Sequence, residues 1–81
     1  MKAAADKYIL AIDLGTSGPK SALVSTRGEL IDYEFESIDL IILQNGGAEQ
    51  DPDQWWRAII NTAKRVLNKT RVAAEDIVCV S

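Results

Sequence analysis

Two apolar, β-prone runs lie too close together in this chain to be anything but neighbours in a hairpin. Tyr8-Ile9-Leu10-Ala11-Ile12 stops at Asp13, and Lys20 to Ser25 resumes as a second strand. Gly15-Thr16-Ser17-Gly18-Pro19 between them is dense in turn residues. A parallel return needs a long crossover, so this short link brings the second strand back antiparallel. A second tight link at Thr26-Arg27-Gly28-Glu29, where Gly28 takes positive φ without Cβ strain, leads into a third strand, Leu30 to Glu36. There Ile31, Tyr33 and Phe35 alternate with Asp32, Glu34 and Glu36. This is the pattern of a strand with its acidic face in water. Strands one to three therefore read as an antiparallel meander.

Ser37 to Gln50 reads as a connector in which Ile38 and Leu40 to Leu43 pack and Gly46-Gly47 breaks regular structure. The next element has complete end signals. Asp51 is the N-cap, Pro52 takes N1, and Gln54 at N3 is placed to bond back as in a capping box. Trp56, Ile59, Ile60, Ala63, Val66 and Leu67 recur at helical spacing, which predicts a helix over Pro52 to Asn68 with Trp56 in its core stripe and Trp55 partly covered to one side. Asp51 and Asp53 suit the positive end of its dipole, and Lys64, Arg65 and Lys69 the negative end. Ala73 to Asp76 reads as a short turn, and Ile77-Val78-Cys79-Val80 as a fourth strand that holds Cys79 as a small buried hydrophobe. The order is β-β-β-α-β. An apolar strand running to Ser81 is read as the cut edge of a larger domain, leaving the isolated piece marginally stable or aggregation-prone.

Composition narrows the function classes. The chain has 81 residues, 47% of them hydrophobic, which suits a globular domain and not a disordered one. Nine basic residues against twelve acidic give a net charge of −3, which disfavours nucleic acid or an anionic membrane as partner. One Cys excludes a disulfide framework, and the absence of His excludes Ser-His and Cys-His nucleophile pairs built from these residues. The N-terminus is polar, with no apolar signal core, and the longest apolar runs fall far short of the roughly 20 residues of a membrane span. The expected location is cytoplasmic.

The chemistry concentrates in Asp13-Leu14-Gly15-Thr16-Ser17-Gly18-Pro19-Lys20. Two glycines let a ligand approach the backbone and expose N–H groups in a row, the arrangement that binds phosphate oxygens. Thr16 and Ser17 add hydroxyl donors and Lys20 a point charge. Asp13, at the end of a buried strand, is placed to hold Mg²⁺ directly or through its water shell. From the residues by themselves an ordinary turn capped by Asp13 is the commoner reading, and phosphate binding the alternative. A Walker A loop is excluded, because Leu14 and Pro19 stand where its glycines belong. A dinucleotide fingerprint is excluded because its loop opens a helix, and this one opens a strand.

Ala11 to Lys20 resembles the first phosphate loop of the superfamily of actin, heat-shock chaperones and sugar kinases. Its D-L-G-T-S-G-x-K form is typical of FGGY carbohydrate kinases, xylulokinases in particular. Gly47-Ala48-Glu49-Gln50-Asp51-Pro52-Asp53-Gln54-Trp55-Trp56 is similar to that family's G-W-x-E-Q-D-P-x-x-W-W segment, and Glu75-Asp76-Ile77 resembles the approach to its fourth strand. The family's aromatic before Glu49 is missing, with Gly47-Ala48 in its place.

The resemblance implies an α/β fold: the β-β-β-α-β start of an actin-like, ribonuclease-H-like ATPase domain, its fourth strand added in parallel. Residues 1–81 would be the N-terminal part of the first of two such domains. The implied activity is ATP-dependent phosphorylation of a sugar hydroxyl, a pentulose such as xylulose, with ATP and Mg²⁺ as cofactors. Carried over by position, Asp13 would serve Mg²⁺, Gly15, Thr16 and Ser17 would face the β- and γ-phosphates, and Lys20 would lie near the γ-phosphate. The catalytic base, an Asp, and the sugar loop would lie beyond Ser81, so the piece by itself is expected to be inactive. The expected partners are a small sugar and the remainder of the kinase chain, and the resemblance admits a homodimer at full length. Glu49 and Gln50 are read as fixing the start of the helix rather than meeting a ligand. The competing readings are an actin- or chaperone-type ATPase and a small non-catalytic binding module.

Overall fold

A computed structural model describes residues 6–81; residues 1–5 of the polar N-terminal stretch lie outside the described residues. The strands β1 (Tyr8–Gly15), β2 (Gly18–Ser25) and β3 (Leu30–Phe35) form the expected meander. The connector holds two short strands, β4 (Ile41–Ile42) and β5 (Ala48–Glu49), and is followed by α1 (Pro52–Thr70), a 3₁₀ turn at Ala74–Asp76, and β6 (Ile77–Val80). The sheet order is β3-β2-β1-β6, with β6 parallel to β1 and the other pairs antiparallel. This is the predicted α/β fold.

The boundaries shift where the ladder overrides local signals. β1 does not stop at Asp13, because its pairing with β2 continues through Asp13↔Lys20, Leu14↔Pro19 and Gly15↔Gly18. Backbone pairing is indifferent to the polarity of the side chains it carries. Gly28, at φ 89°, closes the second turn as expected. Gly46, at φ 86°, does not end regular structure but turns β4 back onto β5. Within the connector Ile38 is buried, whereas Leu40, Ile41 and Ile42 are exposed, against expectation.

Helix α1 begins as its sequence requires, with the Asp51 carboxylate accepting from the Asp53 N–H at 3.0 Å. Gln54 does not close a capping box. Its Oε1 accepts from the Asp39 N–H and its Nε2 donates to the Asp39 carboxylate, tying the helix to the connector. The helix runs past Asn68 to Thr70 and ends on Arg71 at φ 59°, whose N–H donates to the Leu67 carbonyl.

The helix is also rotated from the predicted stripe. Ala58, Thr62 and Val66 are buried, while Trp56 is 63% exposed and so lies outside the core it was expected to join. The reason lies across the interface, where the Ser21 and Thr62 hydroxyls meet at 2.7 Å with both residues fully buried. Thr62 Oγ1 also donates to the Ile59 carbonyl, so Ser21 supplies the proton between the two. Buried hydroxyls need partners, and this pair selects the face of α1 that meets β2. Around it pack Tyr8, Leu10, Leu23, Val66 and Val72. Cys79 is exposed, not buried: β6 lies at the sheet edge.

The alternation in β3 is real, but its two faces are exchanged relative to expectation. Ile31, Tyr33 and Phe35 are 43–50% exposed, and the acidic residues turn toward α1. Arg65 bonds Glu34 at 3.0 Å and Glu36 at 2.8 Å, and Lys69 pairs with Asp32 at 3.0 Å and with Glu34. The Lys69 ammonium and then the Arg65 guanidinium hold the Glu34 carboxyl below its ordinary value of 4.5. Lys69, followed by the Tyr33 N–H, lowers Asp32 below 3.8. The same contacts raise Arg65 and Lys69.

Carboxyls depressed by folding stabilise it above their unfolded pKa, and that contribution is lost as pH falls through the folded values. The raised cations act at the other end, and their share disappears only as pH rises past the ordinary lysine range. The melting temperature of the chain should therefore fall on acidification below about pH 4.5. The fall should be shallower in Lys69→Met, with the pH 7 difference between the two proteins shrinking in salt because the pairs face solvent. Identical acid profiles for wild type and Lys69→Met in low salt would exclude this role.

Candidate functional site

The tip of the β1–β2 hairpin is shorter than the sequence suggested. Gly15 pairs directly with Gly18, leaving Thr16 and Ser17 as the whole turn. Three hairpin carbonyls are occupied by later parts of the chain. The Thr16 carbonyl accepts from Gln50 Nε2 at 2.7 Å, Ser17 from the Ile38 N–H at 3.0 Å, and Pro19 from the Glu36 N–H at 3.3 Å. The N–H and hydroxyl groups of Thr16 and Ser17 make no hydrogen bond among the described residues, and both residues are exposed. Acceptors are thus engaged inward while donors are left outward, the polarity that an anion requires.

The two glycines serve different ends. A Cβ on Gly18, which sits at φ 147°, would lie 2.0 Å from the Glu36 carbonyl oxygen, so the segment after β3, crossing behind the tip, demands glycine. A Cβ on Gly15 would meet only the Gly18 oxygen, at an ordinary 3.7 Å. Nothing in the chain itself requires glycine at position 15.

Asp13 and Lys20 face each other in the ladder, yet they form no ion pair with one another among the described residues. Lys20 Nζ lies 5.4 Å from the centre of the Tyr33 ring, a cation–π contact on the open face of the sheet, and not at the hairpin tip. The Asp13 carboxylate is exposed. Among the described residues no group of three or more His, Cys, Asp or Glu is placed to hold a metal. A lone exposed carboxylate suits Mg²⁺, which retains water and takes further oxygens from a phosphate substrate, better than an ion caged by protein.

Gln50 and Trp55 pack beside the tip, a contact that the residues by themselves do not reveal. Trp55 Nε1 donates to Gln50 Oε1 at 3.2 Å while Gln50 Nε2 holds the Thr16 carbonyl. With Leu14, Gly15 and Thr16 they line a cleft of about 250 Å³ beside the tip. The signals in the sequence are the position of Gln50 next to the helix cap and its place in the Gly47 to Trp56 segment, and neither points to Thr16. Glu49 is exposed in β5, paired with Ile41. Ala48 lines an open groove with Leu40, Pro52 and the two tryptophans.

Comparison with known proteins assigns the chain to a family. Residues 8–81 match the N-terminal domain of the FGGY family of carbohydrate kinases. The chain belongs to that family. It is 34% identical over 74 residues to a glycerol kinase of Halalkalibacterium halodurans, covering 91% of this chain and 15% of that protein. To glycerol kinases of Acidovorax ebreus and Mycoplasmopsis pulmonis it is 33% and 32% identical, over 86% and 90% of this chain and 14% of each relative. The chain thus spans about one seventh of the length of these FGGY relatives. No helix among the described residues is long and apolar enough to cross a membrane.

Proposed function

We infer that these residues are the N-terminal part of the first actin-like domain of a two-domain cytoplasmic kinase. The whole protein transfers the γ-phosphoryl group of ATP to a hydroxyl of a small polyol or sugar. The observation that carries the site is the polarity of the hairpin tip, with carbonyls bonded inward and the Thr16 and Ser17 donors free. Phosphoryl transfer depends on positioning and on stabilising oxygen charge, and such donors supply both. Gly15, Thr16 and Ser17 receive the β- and γ-phosphates, and Gly15 leaves room for their approach. Mg²⁺, when bound, neutralises phosphate charge, and Asp13 would hold it directly or through water. Lys20 reaches the γ-phosphate by leaving the Tyr33 ring. The base and the acceptor pocket come from the remainder of the chain, which also covers the exposed Ile31, Tyr33 and Phe35 face.

The resemblance of Asp13 to Lys20 to the xylulokinase loop favours a pentulose such as xylulose as acceptor, and the similarity to glycerol kinases favours glycerol. A coupled assay of the full-length protein with MgATP against glycerol, D-xylulose, D-ribulose and L-ribulose separates them. Turnover with one acceptor is expected, and none from residues 1–81 by themselves. ATP hydrolysis that no acceptor stimulates would replace this reading with an ATPase.

A further inference from the structure

The amide of Gln50 is used at both ends, and its direction is decided by chemistry. The Trp55 indole can only donate, so Gln50 Oε1 must face it and Nε2 must face the hairpin. That nitrogen donates at 2.7 Å to the carbonyl of Thr16, a residue 34 positions away at the apex of the turn. The other two tip carbonyls are held by backbone N–H groups of the segment after β3. Gln50 is therefore the side chain that fixes the exposed half of the tip.

We propose that Gln50, oriented by Trp55, is a positioning residue for phosphate binding. It holds the Thr16 carbonyl away from the anion so that the Thr16 and Ser17 donors point outward together. This rests on the kinase reading above. A released Thr16 carbonyl could rotate toward the ligand, where its oxygen would repel phosphate, and the peptide would carry the Ser17 N–H with it. The start of α1 is thereby coupled to the hairpin: whatever moves Trp55 or Gln50 moves the donor set. Its consequence falls on the nucleotide and not on the acceptor.

Gln50→Glu keeps the shape and can still accept from Trp55 but cannot donate to Thr16, and the neutral Gln50→Met, which cannot donate either and should raise KM for MgATP likewise, separates that loss from repulsion of phosphate by the new charge. In the full-length enzyme we expect KM for MgATP to rise about three- to tenfold, the range for one lost hydrogen bond, with KM for the acceptor unchanged. Trp55→Phe, which leaves the donor but frees its orientation, should shift the same parameter less. Amide exchange without nucleotide supplies a second readout. The Ile38 N–H, bonded to the Ser17 carbonyl, should exchange faster in Gln50→Glu at an unchanged melting temperature. Equal changes in both KM values, or none, with wild-type exchange at Ile38, would overturn the clamp. Absence of turnover in the wild type would instead overturn the kinase reading, and the exchange comparison would still decide the clamp.

Discussion

If the full-length protein works as the proposed kinase, replacing Asp13 with alanine should lower its kcat/KM on the order of 100- to 1,000-fold, the range seen when one preorganised electrostatic group is removed from a transition state. The fold should survive, because Asp13 is exposed and its carboxylate forms no ion pair or hydrogen bond among the described residues. Its backbone pairing with Lys20 does not depend on the side chain. Asp13→Asn should behave similarly, since an amide keeps the shape but not the charge that attracts Mg²⁺. A coupled assay at saturating acceptor, with a thermal melt of each variant, separates loss of chemistry from loss of fold. Activity within a fewfold of wild type would remove Asp13 from the site.

Gly18→Ala should do the opposite and damage the fold. At φ 147° a side chain is strained by about 1–3 kcal/mol, and a Cβ 2.0 Å from the Glu36 carbonyl oxygen forces backbone displacement at a further cost of about 1–3 kcal/mol. A domain of this size has roughly 4–12 kcal/mol in all. The melting temperature of the chain should drop by more than about 10 °C, or the cooperative transition should vanish. Gly15→Ala provides the contrast, because its Cβ meets only an ordinary contact at 3.7 Å. It should melt like wild type, while MgATP binding by the full-length protein weakens about tenfold or more as the methyl group blocks approach to the tip. Equal melts for Gly18→Ala and Gly15→Ala would show that the hairpin can relax around either residue.

These contrasts mark how far the residues could be read. That position 18 must be glycine depends on Glu36 crossing behind it, a contact with the segment after β3 that no turn signal announces. The donor set at Thr16 and Ser17 was legible from residue types in a short link. Its outward polarity was not, because that follows from three carbonyl partners at Glu36, Ile38 and Gln50. The motif resemblance gave the family, but it did not show that Lys20 rests on Tyr33 or that Gln50 reaches Thr16.

Sequence determined what depends on neighbours along the chain: the β-β-β-α-β order, the tight turns, the Asp51 cap and the meander that short links impose. Tertiary structure decided which face of each element is covered. Alternation in β3 defines two faces and is blind to which one a helix will meet. Arg65 and Lys69 drew the acidic face inward, leaving Ile31, Tyr33 and Phe35 exposed. Helical spacing defines a stripe only to within a rotation, and the buried Ser21–Thr62 pair turned α1 so that Trp56 faces water. Periodicity is a property of one segment, whereas pairing of buried hydroxyls and of opposite charges is a property of two, and the second kind of contact appears only once the chain has folded.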